Sequence, residues 1–332
     1  MGVYIKNVAY YLPEVTVSNE DLQSEFKDRD VGKMANKIGV FRRHVAGPDE
    51  TALDLAEKAA KKLFEENDKD DIDFVILCTQ SPDYYLPTTA CILQHRLGIS
   101  KNAGAIDINQ GCSGFVYSLS LAKGLVEAGV SKNVLLVMAE TYSKHINEGD
   151  LGNRIIFGDA ASAILVSHTQ TMQVGNFVLG TDGEGANNLI VPNGGLRNRF
   201  DSACEVTTDQ RNDRRTDNDL FMNGSEIFYF AGKQIPSVVE QTLAANNLTK
   251  GEVDFYLFHQ ANKYMIDFLA KRLKLSADQY YFDIEDIGNT VSSTIPIALK
   301  RCLDKGIIQK GDKVLLCGFG VGYSWGSVVV EI

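Results

Sequence analysis

The chain has 332 residues, of which 44% are hydrophobic and 23% charged, and a formal net charge of −10. This is the composition of an ordinary globular protein with roughly two domains' worth of chain and a large core. The acidic balance argues against a nucleic-acid partner, which needs basic surface, and no apolar run reaches the length of a membrane span.

The start, Met1-Gly-Val-Tyr-Ile-Lys6, lacks the apolar core of a signal peptide and the hydroxyl residue that myristoylation needs at position 6, so a cytoplasmic protein is expected. The six cysteines, Cys78, Cys91, Cys112, Cys204, Cys302 and Cys317, show no C-x-x-C pair or other metal-ligand spacing. Reduced thiols and no metal site are expected.

Residues 3–13 read as a strand and turn, and Ser18-Asn-Glu-Asp-Leu opens a helix with an N-cap signal. A charged segment ends in Ile38-Gly-Val-Phe-Arg-Arg-His44. The spacing of Leu53, Ala56, Ala60, Leu63 and Phe64 predicts a helix over 51–67. The continuous apolar run 72–78 is a buried strand of the kind covered by helices on both faces. A loop, Thr79-Gln-Ser-Pro-Asp-Tyr-Tyr-Leu86-Pro, leads to a helix over 88–97. After the stretch around Cys112 come a helix ending near Gly129, a strand over 133–138, and a strand pair around a glycine turn over 154–166. From 170 to 221 the pattern weakens, and 183–218 reads as a loop-rich excursion.

The second half then repeats the first. A helix over 235–247 leads into Val253-Asp-Phe-Tyr-Leu-Phe-His259, as 51–67 leads into 72–78; Asp254 lies 181 residues after Asp73 and Leu315 lies 180 after Leu135. Two copies at so long a period indicate a duplicated β-α-β unit rather than a solenoid. The expected halves are 1–169 and 170–332.

Asp107-Ile-Asn-Gln-Gly-Cys112-Ser-Gly-Phe115 joins a short apolar run to a helical one, in which Phe115, Leu119, Ala122, Leu125 and Val126 recur. Cys112 therefore falls at a strand-to-helix turn, where the helix dipole and free N–H groups favour the thiolate. On spacing alone, a small buried cysteine at a glycine turn is the alternative. The later segments Phe258-His259-Gln-Ala-Asn262 and Gly288-Asn289-Thr-Val-Ser-Ser-Thr-Ile-Pro296 tip the balance. Gly306 lies 177 residues after Gly129, and the same offset makes Asn289 the counterpart of Cys112. His259 is the counterpart of Cys78. Pseudo-symmetric halves bring such turns together, and a cysteine, an imidazole and an amide donor are the parts of a thiol acyl-transfer site.

These motifs, with Ile156-Phe-Gly-Asp159, Leu243-Ala-Ala-Asn-Asn-Leu248 and Gly320-x-Gly-Tyr-Ser-Trp-Gly-Ser327, resemble those of the thiolase superfamily, most closely β-ketoacyl-acyl-carrier-protein synthase III, over nearly the whole chain. The resemblance implies an α/β protein with an αβαβα layered fold, a homodimer, and ping-pong acyl transfer in fatty acid biosynthesis. No bound cofactor is implied; acyl-CoA or acyl-carrier protein, through its phosphopantetheine arm, is the substrate. It further implies that Cys112 takes an acyl group from a thioester and that His259 and Asn289 stabilise the enolate of a decarboxylating malonyl-type donor. The backbone N–H groups of Cys112 and Val321 would form the oxyanion hole. Phe157, Leu189 and Phe319 would line the acyl pocket, with Leu86 reaching the partner subunit's pocket.

The glycine cluster Gly318-Phe-Gly-Val-Gly322 is followed by a strand-like run rather than a helix, which argues against a dinucleotide loop. The loop after the second strand carries Thr79-Gln80-Ser81, where related enzymes that condense without decarboxylation carry a catalytic glutamate; a glutamine cannot take a proton. Departures from the family pattern lie at the coenzyme A positions. Lys33 and Lys37 stand where the family has a tryptophan and an arginine, and Tyr229 and Tyr264 stand where it has basic residues. Surface drift would explain them, as would a donor carried on a carrier protein. Lys263, Lys271, Arg272 and Lys274 form a basic patch suited to an acidic carrier, with a solvated helix face as the alternative. Two competing functions remain: acyl transfer from Cys112 to an amine or hydroxyl acceptor without carbon–carbon bond formation, and a non-catalytic partner subunit. A papain-like hydrolase is disfavoured by the position of the cysteine.

Overall fold

The computed structural model describes residues 2–171 and 173–332; Met1, part of the leader reading, and Met172, in the weakly patterned stretch, lie outside them. The continuous apolar runs form the inner strands of two sheets. The first sheet has five strands in the order Gly2–Tyr11, Ala160–Thr169, Asn133–Glu140, Phe74–Cys78 and Gly104–Ile108. The second has four, in the order Phe255–Phe258, Lys313–Gly320, Ser324–Glu331 and Val178–Thr181. We propose the division at 169 and 170 on this partition of strands.

Strand alternation sorts each run between two cores. In Phe74–Cys78, Ile76 and Cys78 point to one core and Val75 and Leu77 to the other. The central core holds the helices Gly114–Glu127 and Thr294–Asp304 between the two sheets. Ala52–Phe64 and Thr89–Leu97 cover the outside of the first sheet, and Gly224–Ala245 and Lys263–Leu273 the outside of the second. The layers therefore run αβαβα. Among the described residues, no helix is long and apolar enough to cross a membrane.

Two local expectations need correction. Residues 154–166 do not form a strand pair. Asp150 caps a short helix, Leu151–Arg154, by accepting the Asn153 N–H at 3.0 Å, and only Ala160–Thr169 is a strand. Phe157 makes an isolated parallel bridge to Asn289 instead. The helix expected from residue 235 begins at Gly224, capped by Asn223, and carries Pro236 in its interior. The strand that would mirror Gly104–Ile108 in the second half is reduced to one bridge, Tyr256 to Tyr280. There the Gln260 side chain replaces a ladder, donating to Phe258 O (2.9 Å) and Tyr281 O (3.1 Å) and accepting from Asp283 N (3.0 Å).

Candidate active site

Cys112 lies in the turn between Gly104–Ile108 and Gly114–Glu127, and the end of strand Lys313–Gly320 presses against it. A Cβ on Gly318 would lie 2.8 Å from the Cys112 carbonyl oxygen, and one on Gly320 would lie 2.9 Å from Sγ. The glycines there serve close approach, and the chain continues into a strand, which agrees with the reading against a dinucleotide loop. Ser113 Oγ meets Ser324 Oγ at 2.7 Å, and Ser324 Oγ donates to the Val321 carbonyl at 2.7 Å, which ties the turn at Val321 to the start of the cysteine helix.

The expectation of a thiolate at the helix start is not met. Burial pushes the Cys112 thiol up to about 12; the Val321 N–H pulls against it, the nearby Glu140 carboxylate adds to the rise, and Cys112's own N–H opposes it. Desolvation outweighs the helix terminus here. The two N–H groups that favour negative charge at the sulfur belong to Val321 and Cys112, the pair expected for the oxyanion hole.

His259 follows strand Phe255–Phe258, and its N–H continues the ladder to Cys317 O at 2.8 Å. Burial pushes its imidazole down to about 3, a backbone contact from Val291 opposing, so the ring is neutral. Nδ1 lies 2.8 Å from Thr294 Oγ1, which also lies 3.0 Å from the Val291 carbonyl. The single hydroxyl proton can point either way, and the ring tautomer follows it. Nε2 is the nitrogen left to the cavity. Asn289 Oδ1 accepts the Val291 N–H at 2.9 Å, which leaves the amide NH₂ as a donor. Val291 holds φ 56°, a left-handed conformation unfavourable for a β-branched residue, so strain accompanies the placement of this amide.

Cys112, His259 and Asn289 converge on one cavity of about 490 Å³, and all three are buried. Phe157, Leu189 and Phe319 line the same cavity. Val321 does not line it; it reaches the site through its backbone, and its side chain lines a second cavity of about 1050 Å³. Leu86 also lies on that second cavity, 81% exposed, beside Tyr84 and Tyr85. Among the basic residues singled out, Lys37 lines the first cavity, its Nζ 4.9 Å from the Tyr264 ring centroid. Tyr264 in turn stacks on Phe228 at 5.1 Å and both line the cavity with Lys37, whereas Lys33 and Tyr229, the other departures from the family pattern, do not line it. Lys263 is paired with Asp267 at 2.6 Å, and Lys271 and Arg272 are exposed farther along the same helix, off the cavity.

Sequence reasoning missed the polar groups behind the cysteine. Glu140, at the end of strand Asn133–Glu140, is fully buried and accepts Gln80 N–H at 2.9 Å and Ser81 Oγ–H at 3.0 Å. Burial pushes its carboxyl up to about 8 against those two hydrogen bonds, with Asp159 adding to the rise. A carboxyl closing a continuous apolar strand was a readable signal, had the strand been carried past 138. Tyr142, whose hydroxyl donates to Gln80 Oε1 at 2.8 Å, and Arg211 on the cavity lining were also missed. Among the described residues, no cluster of three or more His, Cys, Asp or Glu could hold a metal ion.

The chain matches the family described as 3-oxoacyl-[acyl-carrier-protein (ACP)] synthase III over residues 106–183, and that family's C-terminal part over residues 243–332. It is 37% identical over 325 residues to the β-ketoacyl-[acyl-carrier-protein] synthase III of Caldanaerobacter subterraneus subsp. tengcongensis, covering 97% of this chain and 95% of that protein. A 2.1 Å crystal structure of a 3-oxoacyl-(acyl-carrier-protein) synthase III superposes with a TM-score of 0.98 at 44% identity over 100% of both chains. The 3-oxoacyl-(acyl-carrier protein) synthase of Burkholderia xenovorans LB400 superposes with a TM-score of 0.92 at 36% identity, over 100% of this chain and 94% of that one. With Cys112, His259 and Asn289 lining one cavity and matches across nearly the full length, the chain belongs to the 3-oxoacyl-[acyl-carrier-protein] synthase III family of acyltransferases.

Proposed function

We propose that Cys112 takes an acyl group from a thioester and passes it to a malonyl-type donor by decarboxylative Claisen condensation. In the first half-reaction the Cys112 sulfur attacks the thioester carbonyl, and the oxyanion sits against the Cys112 and Val321 N–H groups. The donor's thiolate leaves with the cysteine's proton. In the second, the malonyl carboxyl departs as carbon dioxide, and its bonding electrons form an enolate whose oxygen accepts from His259 Nε2–H and the Asn289 amide. The enolate carbon attacks the acyl-Cys112 carbonyl, the new carbon–carbon bond forms, and the Cys112 thiolate leaves and takes up one proton. The tautomer with Nε2–H serves this step, and the Thr294 hydroxyl turned toward Nδ1 provides it.

The observation that carries this reading is that Cys112, His259 and Asn289 line one cavity; burial, which raises the Cys112 thiol and lowers the His259 imidazole, is in keeping with a neutral pair. Gln80 supports decarboxylation as the source of the carbanion, since it offers no base. The donor reaches the floor past Lys37, and an acyl carrier protein would dock on the exposed Lys271 and Arg272 with its phosphopantetheine arm in the cavity. A homodimer in the cytoplasm completes the reading, supported by the exposed Tyr84-Tyr85-Leu86 loop. Incubating acylated enzyme with malonyl-carrier protein tests the chemistry. Carbon dioxide release that falls about 10²–10³-fold in Asn289→Ala supports it. Transfer of the acyl group to an amine or hydroxyl acceptor, without carbon dioxide release, would overturn it.

A further inference from the structure

The helix Gly114–Glu127 leaves an available cap unused. Ser113 stands at its N-cap position, where serine is among the most favourable residues, yet its hydroxyl accepts no N–H from the first turn. The hydroxyl crosses to the second half of the chain instead and meets Ser324 Oγ at 2.7 Å. Ser324 Oγ in turn lies 2.7 Å from the Val321 carbonyl oxygen. A carbonyl only accepts, so the single Ser324 proton goes to Val321 O, and Ser113 is the donor between the two serines. Gln110 Oε1, 3.3 Å from Ser324 Oγ, is the longer and weaker acceptor. Both serines are buried, so neither hydroxyl turns to water. The turn that they close is otherwise compliant. Gly322 holds φ 134°, a conformation that favours glycine, and the chain doubles back so far that a Cβ there would lie 2.9 Å from Ser324 N. The Val321 side chain is seated against Gly111, where a Cβ would lie 2.5 Å from Val321 Cγ1.

We infer that Ser324, with Ser113 behind it, is a positioning residue for acyl transfer: the hydroxyl relay from Ser113 through Ser324 to the Val321 carbonyl sets the spacing and aim of the Cys112 and Val321 N–H groups. This rests on the reading of Cys112 as the acylated nucleophile and of those two N–H groups as its oxyanion hole. The two donors come from opposite halves of the chain, and each sits beside one end of the relay. The Cys112 N–H lies one residue before Ser113, and the Val321 N–H belongs to the residue whose carbonyl Ser324 holds. Neither serine lines the cavity of Cys112, so both act through the backbone. Donors to an oxyanion are effective when they are already aimed at the place where charge develops. Without the Ser324 hydroxyl, the Val321 carbonyl loses its partner and the peptide plane between Val321 and Gly322 turns about a glycine that resists little. The loss falls on the transition state, where the oxygen carries charge, more than on the bound thioester.

The test is single-turnover acylation of the full chain by the acetyl thioester of N-acetylcysteamine over a range of concentrations, read as the mass adduct on Cys112. This probe carries neither coenzyme A nor a carrier, so donor preference does not enter. Ser324→Ala is expected to lower the maximal acylation rate about tenfold to a hundredfold and to leave the half-saturating concentration within about twofold. Ser113→Ala lowers the maximal rate in the same way by less, and it decides the matter if Ser324→Ala does not fold. The double variant is expected to be no slower than Ser324→Ala alone, since both hydroxyls act through one relay. An unchanged maximal rate in the folded variants, or a loss confined to the half-saturating concentration, overturns the inference. Losses that multiply in the double variant overturn the relay. Absence of any Cys112 adduct in wild type overturns the functional reading together with it, whereas a wild-type adduct that forms equally fast in the serine variants overturns this inference alone.

Discussion

Gly320→Ala isolates the contact that places the nucleophile. Gly320 has an ordinary φ, so alanine meets no backbone strain, and the whole effect comes from its added Cβ, 2.8 Å from Cys112 Cβ and 2.9 Å from Sγ. Both separations are shorter than non-bonded carbon and sulfur allow, so the cysteine side chain or the end of strand Lys313–Gly320 must yield. Overpacking of this size costs about 1–3 kcal/mol, read as a loss of roughly 2–4 °C in Tm per kcal/mol. The kinetic effect is larger. A displacement of about 1 Å at a reacting centre costs on the order of 10²-fold, so single-turnover acylation of Cys112 is expected to fall about that much while the protein stays folded. Gly318→Ala, whose Cβ would meet the Cys112 carbonyl oxygen and Ser113 Cα instead, strikes backbone that cannot rotate away and is expected to lose more stability. Gly251→Ala, with nothing within 4 Å, serves as the unperturbed control. Wild-type acylation by a folded Gly320→Ala would refute the idea that strand and sulfur are fitted to each other.

With the resting thiol pushed up to about 12, iodoacetamide labelling of Cys112 is expected to rise roughly tenfold per pH unit from pH 7 through pH 9, and a plateau near pH 7 would contradict it. Glu140, raised to about 8, favours the fold in its protonated form; that stability is fully present below the unfolded carboxyl value and is lost as pH rises through about 8. Melting curves between pH 4 and pH 9 should show this decline in wild type and a flatter profile in Glu140→Gln. Replacing Lys271 and Arg272 with glutamate should raise KM for a carrier-borne donor, with a weaker salt dependence, and leave acylation by N-acetylcysteamine thioesters unchanged. An equal effect on both donors would place those residues outside carrier docking.

The duplicated β-α-β unit was legible because its signals are long and repeated, two apolar runs of one pattern, each preceded by an amphipathic helix, spaced about 180 residues apart; the layered fold was implied by the resemblance of the motifs to a known family. That spacing pairs Asn289 with Cys112 and His259 with Cys78, and of these Cys112, His259 and Asn289 line one cavity while Cys78 lies in the central core. Their protonation states were not legible. A helix N-terminus is visible in sequence, whereas the depth of burial that overrides it at Cys112 comes from Gly318 and Gly320 drawing a distant strand onto the sulfur. The helix beginning at Gly224 was obscured by its aromatic residues and by Pro236, and the short helix Leu151–Arg154 by the apolar isoleucines that follow it. Tyr142 and Gln80, 62 residues apart, have no local pattern that marks them as a pair.

A single measurement bears most directly on the central claim that one cavity floor serves both half-reactions. Enzyme pre-acylated with a carbon-13 acetyl group is mixed with malonyl-carrier protein, quenched over a time course, and both proteins are weighed intact. The account predicts that the Cys112 adduct disappears only after the malonyl donor is added, as the carrier species loses carbon dioxide and gains the labelled acetyl in equal amount. Persistence of the Cys112 adduct, or its loss with no labelled carrier product, would contradict it.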